Sequence, residues 1–192
     1  YRGSAGFGRA YQEALHGRWG EADVADAAAA VQALAASGWA DPARLALYGS
    51  SAGGLTVLNT LIHHPGLARA AVCKYPVCEL LSLNDSTHKF ELHYNDWLLG
   101  KRPEAAEVYR ERLTVNRAAE IRTPLALFHG GQDPVVPLAQ SRQIAAAVQS
   151  AGGQCRLTVY PQEGHGLRQA ETLQDFYARF LEFLGKQGIT GD

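Results

Sequence analysis

Four short apolar and β-favouring runs constrain the fold most: 44-RLALYG-49, 70-AAVCKYP-76, 125-LALFHGG-131 and 156-RLTVYP-161. Each is four to six residues long, near-continuously apolar or β-rich, and closed by Gly or Pro. Such runs suit strands of a mostly parallel sheet, buried on both sides. Helical patterns lie between them. Residues 21–36 predict a helix, with Asp23 and Asp26 in its first turns, where they suit the macrodipole. Val24, Ala27, Val31 and Leu34 keep helical spacing there, and Ser37-Gly38 stops it. Residues 54–64 predict a second helix, ending at Pro65-Gly66. A third spans 138–151, with Ile144, Ala147 and Val148 inward. A fourth spans 170–184, with Leu173, Phe176, Tyr177, Phe180, Leu181 and Leu184 at three- and four-residue steps. Strands alternating with helices predict an α/β fold, a mostly parallel sheet with helices on both faces.

Two segments depart from this rhythm. Residues 1–12 are rich in glycine and polar residues and read as a loop. Residues 77–118 hold His88, Phe90, His93, Tyr94 and Trp97. So long a stretch between strands predicts a functional excursion or a small helical insertion, with a helix over 104–112.

Composition narrows the function classes. The chain has 192 residues, room for one domain over 1–192, and a net charge of −1. No basic surplus points to nucleic acid or a membrane surface. No apolar run approaches the roughly 20 residues that span a bilayer. Cys73, Cys78 and Cys155 are odd in number and widely spaced, which predicts buried thiols and a reducing, cytoplasmic setting. No His/Cys spacing suggests zinc, so neither metal nor cofactor is expected. The chain contains no methionine and opens at Tyr1, as expected for a fragment of a longer protein.

The stretch 48-YGSSAGGL-55 bears the chemistry. Gly49-x-Ser51-x-Gly53 is the nucleophile-elbow pattern, in which a strand turns sharply into a helix and leaves the central serine on the apex. Only Ser51 has glycine two residues before and two after; Ser50 has Tyr48 and Ala52. The flanking strand and helix supply the required context, against the plainer reading of a serine that merely caps a helix. The helix N-terminus favours negative charge, and the Ala52 N–H is the expected oxyanion donor.

A serine needs a base, and the base an orienting acid. Asp133 lies just past the third strand in 129-HGGQDPVVP-137, and His165 follows the fourth in 161-PQEGHGL-167. Ser51, Asp133 and His165 thus fall in loops at one edge of the sheet, in the order serine, acid, histidine. His129 reads as structural, His63 and His64 as helix-end residues, and Glu163 as an alternative acid outside that order.

The chain resembles the catalytic domain of the prolyl oligopeptidase family of serine peptidases (S9). The resemblance rests on 2-RGSAGFGRAY-11, 18-RWGEADVADAAAAV-31, 41-DPARLALYGSSAGG-54, 123-TPLALFHGGQDPVVP-137 and 163-EGHGL-167. Within the family, 75-YPVCELLSLNDSTHKFELHYNDWLLG-100 is similar to the acylaminoacyl-peptidase and aminopeptidase-like branch. The resemblance implies an α/β-hydrolase fold whose first strands precede Tyr1, Ser51 as nucleophile, Asp133 as acid, His165 as base and an upstream β-propeller. It implies a short peptide or acyl-peptide substrate and leaves a homo-oligomer open. Two departures stand out. Val135 occupies the position where many members carry a substrate-binding arginine, and the second oxyanion donor falls before Tyr1. Phe90, Glu91 and Trp97 are candidate substrate contacts, with Glu91 for an amino terminus; core packing and solvation are the plainer readings. The same three catalytic groups would also serve a carboxylesterase, and a silent binding domain is the non-enzymatic alternative.

Overall fold

In a computed structural model, which describes residues 1–79, 94–101 and 103–190, the chain forms a four-stranded parallel sheet. The strands are β1 (Ala46–Ser50), β2 (Ala70–Lys74), β3 (Leu125–Gly130) and β4 (Cys155–Tyr160), in that spatial order. The register places Gly49, Cys73, Leu127 and Leu157 abreast, then Ser50, Lys74, Phe128 and Thr158. Seven helices are described: α1 (Arg9–Glu13), α2 (Ala22–Ala36), α3 (Ala52–His63), α4 (Tyr94–Leu99), α5 (Ala106–Arg112), α6 (Leu138–Ser150) and α7 (Ala170–Lys186). The excursion between β2 and β3 is therefore helical in its described part, and the opening loop contains the short α1.

Period-two alternation sorts the strand side chains between two cores. Ala71, Cys73, Leu125, Leu127 and Cys155 pack with Leu58 and Leu61 of α3 and Ile144 and Val148 of α6. Ala70, Val72, Ala126 and Phe128 face Phe176, Phe183 and Leu184 of α7. Fully burying a side chain such as Leu127 contributes about 1.5–3 kcal/mol. A third cluster joins Leu15, Trp19, Leu55, Leu98, Tyr109 and Leu113 beyond the sheet.

One sequence expectation needs correction, and two helical stripes are only partly covered. Only the central strands β2 and β3 are buried on both faces. β1 and β4 are half-buried, because each has a strand on one side only among the described residues. On α2 the buried positions are Ala22, Asp23, Val24 and Ala28, while Leu34 is exposed, since the helix is covered only over its first turns. On α7, Tyr177 and Leu181 are exposed and Phe183 is buried. Asp23 is not merely a dipole partner. It is buried, accepts the Gly20 N–H at 2.7 Å and takes the Thr56 hydroxyl of α3. Asp26 pairs with Arg2 at 2.6 Å, tying the first residues to α2.

Candidate active site

β1 ends at Ser50 and α3 begins at Ala52, so one residue makes the turn. That residue, Ser51, has φ 53° and ψ −123°, a strained conformation for a side-chain-bearing residue. The crowding does not fall on both glycines of the motif. A Cβ on Gly49 would lie 2.3 Å from the Gly53 carbonyl oxygen, and one on Gly54 would lie 2.5 Å from Pro76. A Cβ on Gly53 would meet nothing within 4 Å. Gly49 thus admits the helix backbone, and Gly54 rather than Gly53 admits the segment after β2.

That segment holds the elbow from its other side. The Ser51 N–H donates to the Lys74 carbonyl at 3.0 Å, and the Val77 N–H donates to the Ser51 carbonyl at 3.1 Å. Ala52 is exposed and is the first residue of α3, where backbone N–H groups have no acceptor within the helix.

The loops after β3 and β4 bring the other two groups to Ser51. His165 Nε2 lies 3.1 Å from Ser51 Oγ, and its Nδ1 lies 2.8 Å from Asp133 Oδ2. A carboxylate only accepts, so Nδ1 carries the proton and Nε2 is left to accept from the serine hydroxyl. Asp133 has no exposed side-chain surface, whereas the His165 side chain is 24% exposed. Asp133 Oδ1 accepts the N–H groups of Val135 at 2.8 Å and Val136 at 2.9 Å. Burial alone would raise the Asp133 carboxyl; its bonds to His165, Val136 and Val135 outweigh this and hold it below the ordinary value.

The rival groups are held mainly by other partners, although His129 Nε2 also lies 3.5 Å from Asp133 Oδ2. His129 is buried, with Nε2–H donating to the Val136 carbonyl at 2.9 Å and Nδ1 accepting the Ser141 hydroxyl at 2.7 Å. Burial lowers its pKa, so it buttresses the Asp133 loop as a neutral ring. Glu163 is buried and faces away from the role of acid. Its carboxylate accepts the N–H groups of Arg168 at 2.9 Å and Gln169 at 2.8 Å, closing the loop that presents His165. His63 sits at the end of α3 beside Arg117.

Val135 is exposed. Trp97, on α4, packs partly buried against the Leu15–Trp19–Tyr109 cluster, stacked on Tyr94 and 5.2 Å from the His16 ring. Phe90 and Glu91 lie outside the described residues. Nothing in the sequence pattern marks two further buried residues. Tyr75 is buried, with its ring centroid 4.5 Å from that of His165. Gln140 is buried, and its side-chain amide bonds the backbone of Cys78 and Glu79.

A parallel sheet with helices on both faces, and a Ser–His–Asp hydrogen-bond chain at its carboxyl edge, define the architecture of an α/β-hydrolase. The profile of the prolyl oligopeptidase family matches residues 1–188, and the chain belongs to that family of serine peptidases. It is 28% identical to the acylamino-acid-releasing enzyme of Arabidopsis thaliana over 97% of this chain, and 29% identical to that of Homo sapiens over 96%. These matches span 25% and 26% of those relatives, so the chain corresponds to about a quarter of their length. Among solved structures, it superposes on a puromycin hydrolase with a TM-score of 0.93 at 41% identity, covering 99% of this chain and 29% of that one. A puromycin-hydrolyzing peptidase of Mycobacterium tuberculosis gives 0.95 at 39% identity, covering 99% and 30%.

Proposed function

We propose that this domain hydrolyses peptide or amide bonds of short peptides through an acyl-enzyme on Ser51. The observation that carries the proposal is the continuous chain Ser51 Oγ–His165–Asp133, with links of 3.1 and 2.8 Å, ending on a serine held strained at the elbow. His165 Nε2 takes the hydroxyl proton as Ser51 Oγ attacks the substrate carbonyl. Asp133, fixed by the Val135 and Val136 N–H groups, holds the tautomer and faces the imidazolium that forms. The Ala52 N–H donates to the oxyanion. The imidazolium then protonates the departing amine as the C–N bond breaks. Water, deprotonated by the same histidine, attacks the ester and releases the acid and free Ser51.

One oxyanion donor is worth about 10²–10³ in rate, so the Ala52 N–H carries a measurable share of this reading. An accessory β-propeller that restricts access to peptides also belongs to it. The amide preference draws on the relatives: puromycin is itself an aminoacyl amide, and the chain is 41% identical to a puromycin hydrolase. Phe90, Glu91 and Trp97 stand as the proposed substrate contacts, with the exposed Val135 at the position where the family resemblance implies an arginine in many members. The three buried free thiols support a reducing, cytoplasmic setting.

The test is fluorophosphonate labelling with peptide mapping of the wild type and Ser51→Ala. Label at Ser51 that vanishes in the variant is the expected result. No label on the folded, complete protein refutes the enzyme reading in favour of a silent domain. Turnover of a short acyl ester without turnover of an aminoacyl amide would make the protein a carboxylesterase instead.

A further inference from the structure

Among the described residues, three non-glycine residues have positive φ: Ser51 at 53°, Tyr75 at 35° and Leu167 at 37°. Each is one of the Ser51–His165 pair, touches it, or lies within two residues of it. Ser51 is the proposed nucleophile, Leu167 lies two residues beyond His165, and the Tyr75 ring lies against His165 with centroids 4.5 Å apart and planes at 53°. Resting on the reading of Ser51 and His165 as nucleophile and base, we propose that Tyr75 is a positioning residue for the reaction. Its ring holds the His165 imidazole in line with the Ser51 hydroxyl and lies beside the imidazolium when it forms.

Tyr75 is placed for this by backbone as well as by side chain. The register pairs Ser50 with Lys74, so Ser51 and Tyr75 are the first residues past neighbouring strands. The Lys74 carbonyl and the Val77 N–H take both backbone groups of Ser51, bracketing Tyr75 between them. The Tyr75 N–H donates to the Phe128 carbonyl at 2.7 Å, which anchors it to β3 as well. One residue therefore links the backbone that holds the nucleophile to the ring of the base.

Burial alone does not account for this arrangement. Tyr75 and Leu167 belong to the cluster of Phe128 and Phe176, yet an aromatic residue needs no left-handed backbone to fill a core. The constraint on His165 is real, because it sits between Gly164 and Gly166 on a loop and its side chain is partly exposed. Hydrogen bonds at both nitrogens fix the ring at its edge, and the Tyr75 ring adds a contact that those bonds do not supply. An aromatic ring also attracts a neighbouring cation, so the Tyr75 ring stands beside the charge that develops on His165 only during the reaction.

The experiment compares wild type, Tyr75→Leu, Tyr75→Gly and Tyr75→Phe in the complete protein. It measures kcat and KM on an aminoacyl amide, thermal midpoints and fluorophosphonate uptake at Ser51. Tyr75→Leu is expected to lower kcat by about two- to thirty-fold with KM held within about twofold. Tyr75→Phe is expected to restore most of that loss, since it returns the ring. Glycine suits the left-handed backbone and removes the ring, so Tyr75→Gly decides the matter where the leucine variant does not fold. A folded Leu or Gly variant with wild-type kcat overturns the inference, as does a loss confined to KM or a Phe variant as impaired as Leu. Failure of the underlying reading looks different: wild type itself would take no label at Ser51, and the role of Tyr75 falls with it.

Discussion

Replacing Glu163 with alanine tests whether the His165 loop is held by the buried carboxylate two residues away. The two carboxylate oxygens accept the Arg168 and Gln169 N–H groups at 2.9 and 2.8 Å, and residues 164–167 bow out between them. A hydrogen bond to a charged group contributes about 1.5–3 kcal/mol net, so two would sum to about 3–6 kcal/mol. Both donors are only partly buried, and water reaches them once the side chain is gone. Roughly half that sum, about 1.5–3 kcal/mol, is the expected cost of Glu163→Ala. For a domain of this size, each kcal/mol lowers the midpoint by about 2–4 °C, which predicts a fall of about 3–12 °C in thermal unfolding followed by circular dichroism.

The same residue predicts a pH dependence. Burial alone would raise the Glu163 carboxyl, but the Arg168 and Gln169 N–H groups, with the Thr172 hydroxyl and the Arg168 charge, outweigh it and leave it below the ordinary value. A carboxyl depressed in the folded state contributes stability that is present above its unfolded value, about 4.3, and lost as pH falls through the folded one. Glu163→Gln should therefore narrow the gap to wild type between pH 6 and pH 3. A Glu163→Ala midpoint within about 1 °C of wild type at pH 7, with an unchanged rate of label uptake at Ser51, would refute this account of the loop.

Two further outcomes follow from the site. Gly49→Ala places a methyl carbon 2.3 Å from the Gly53 carbonyl oxygen, a backbone atom that cannot turn aside, whereas Gly53→Ala meets open space. The first should abolish Ser51 labelling or folding, at a cost of about 3 kcal/mol or more, and the second should leave the midpoint within about 1 °C, both read by thermal melts and label uptake. Asp133→Asn should lower kcat by about 10⁴ with KM little changed, measured on an aminoacyl amide, because an amide can hold the wrong histidine tautomer; an Asn variant at wild-type rate would exclude Asp133 as the orienting acid.

The parts of this molecule that were legible in its sequence are those where one local rule decides the outcome. β2 and β3 were readable because strands covered on both faces must be apolar throughout, and 70-AAVCKYP-76 and 125-LALFHGG-131 are nearly so. Ser51, Asp133 and His165 were readable as candidates because strand ends in a parallel sheet share one edge, and the hydrogen bonds join those same three residues. The misses have a common cause. Helical spacing says which residues share a face, not how far a neighbour covers it, so Leu34, Tyr177 and Leu181 sit on regular stripes and remain exposed. Likewise, the glycine spacing of the elbow identifies a tight turn but not which glycine is pressed. That depends on Pro76, which arrives from the next strand.

Tyr75 was illegible for the same reason in its strongest form. Nothing near it in sequence marks it, because its position relative to Ser51 is set by pairing of β1 with β2, and its position relative to His165 by a loop that arrives ninety residues later. Glu163 shows the converse. Two residues from His165, it was a reasonable rival acid on spacing alone, yet its carboxylate closes the loop behind the histidine while Asp133, 32 residues away, reaches the ring. Proximity along the chain governs loops, and proximity across strand ends governs this site. Support for His165 therefore comes from a neighbouring strand end as well as from the histidine's own loop, and Tyr75, just past β2, is its proposed source.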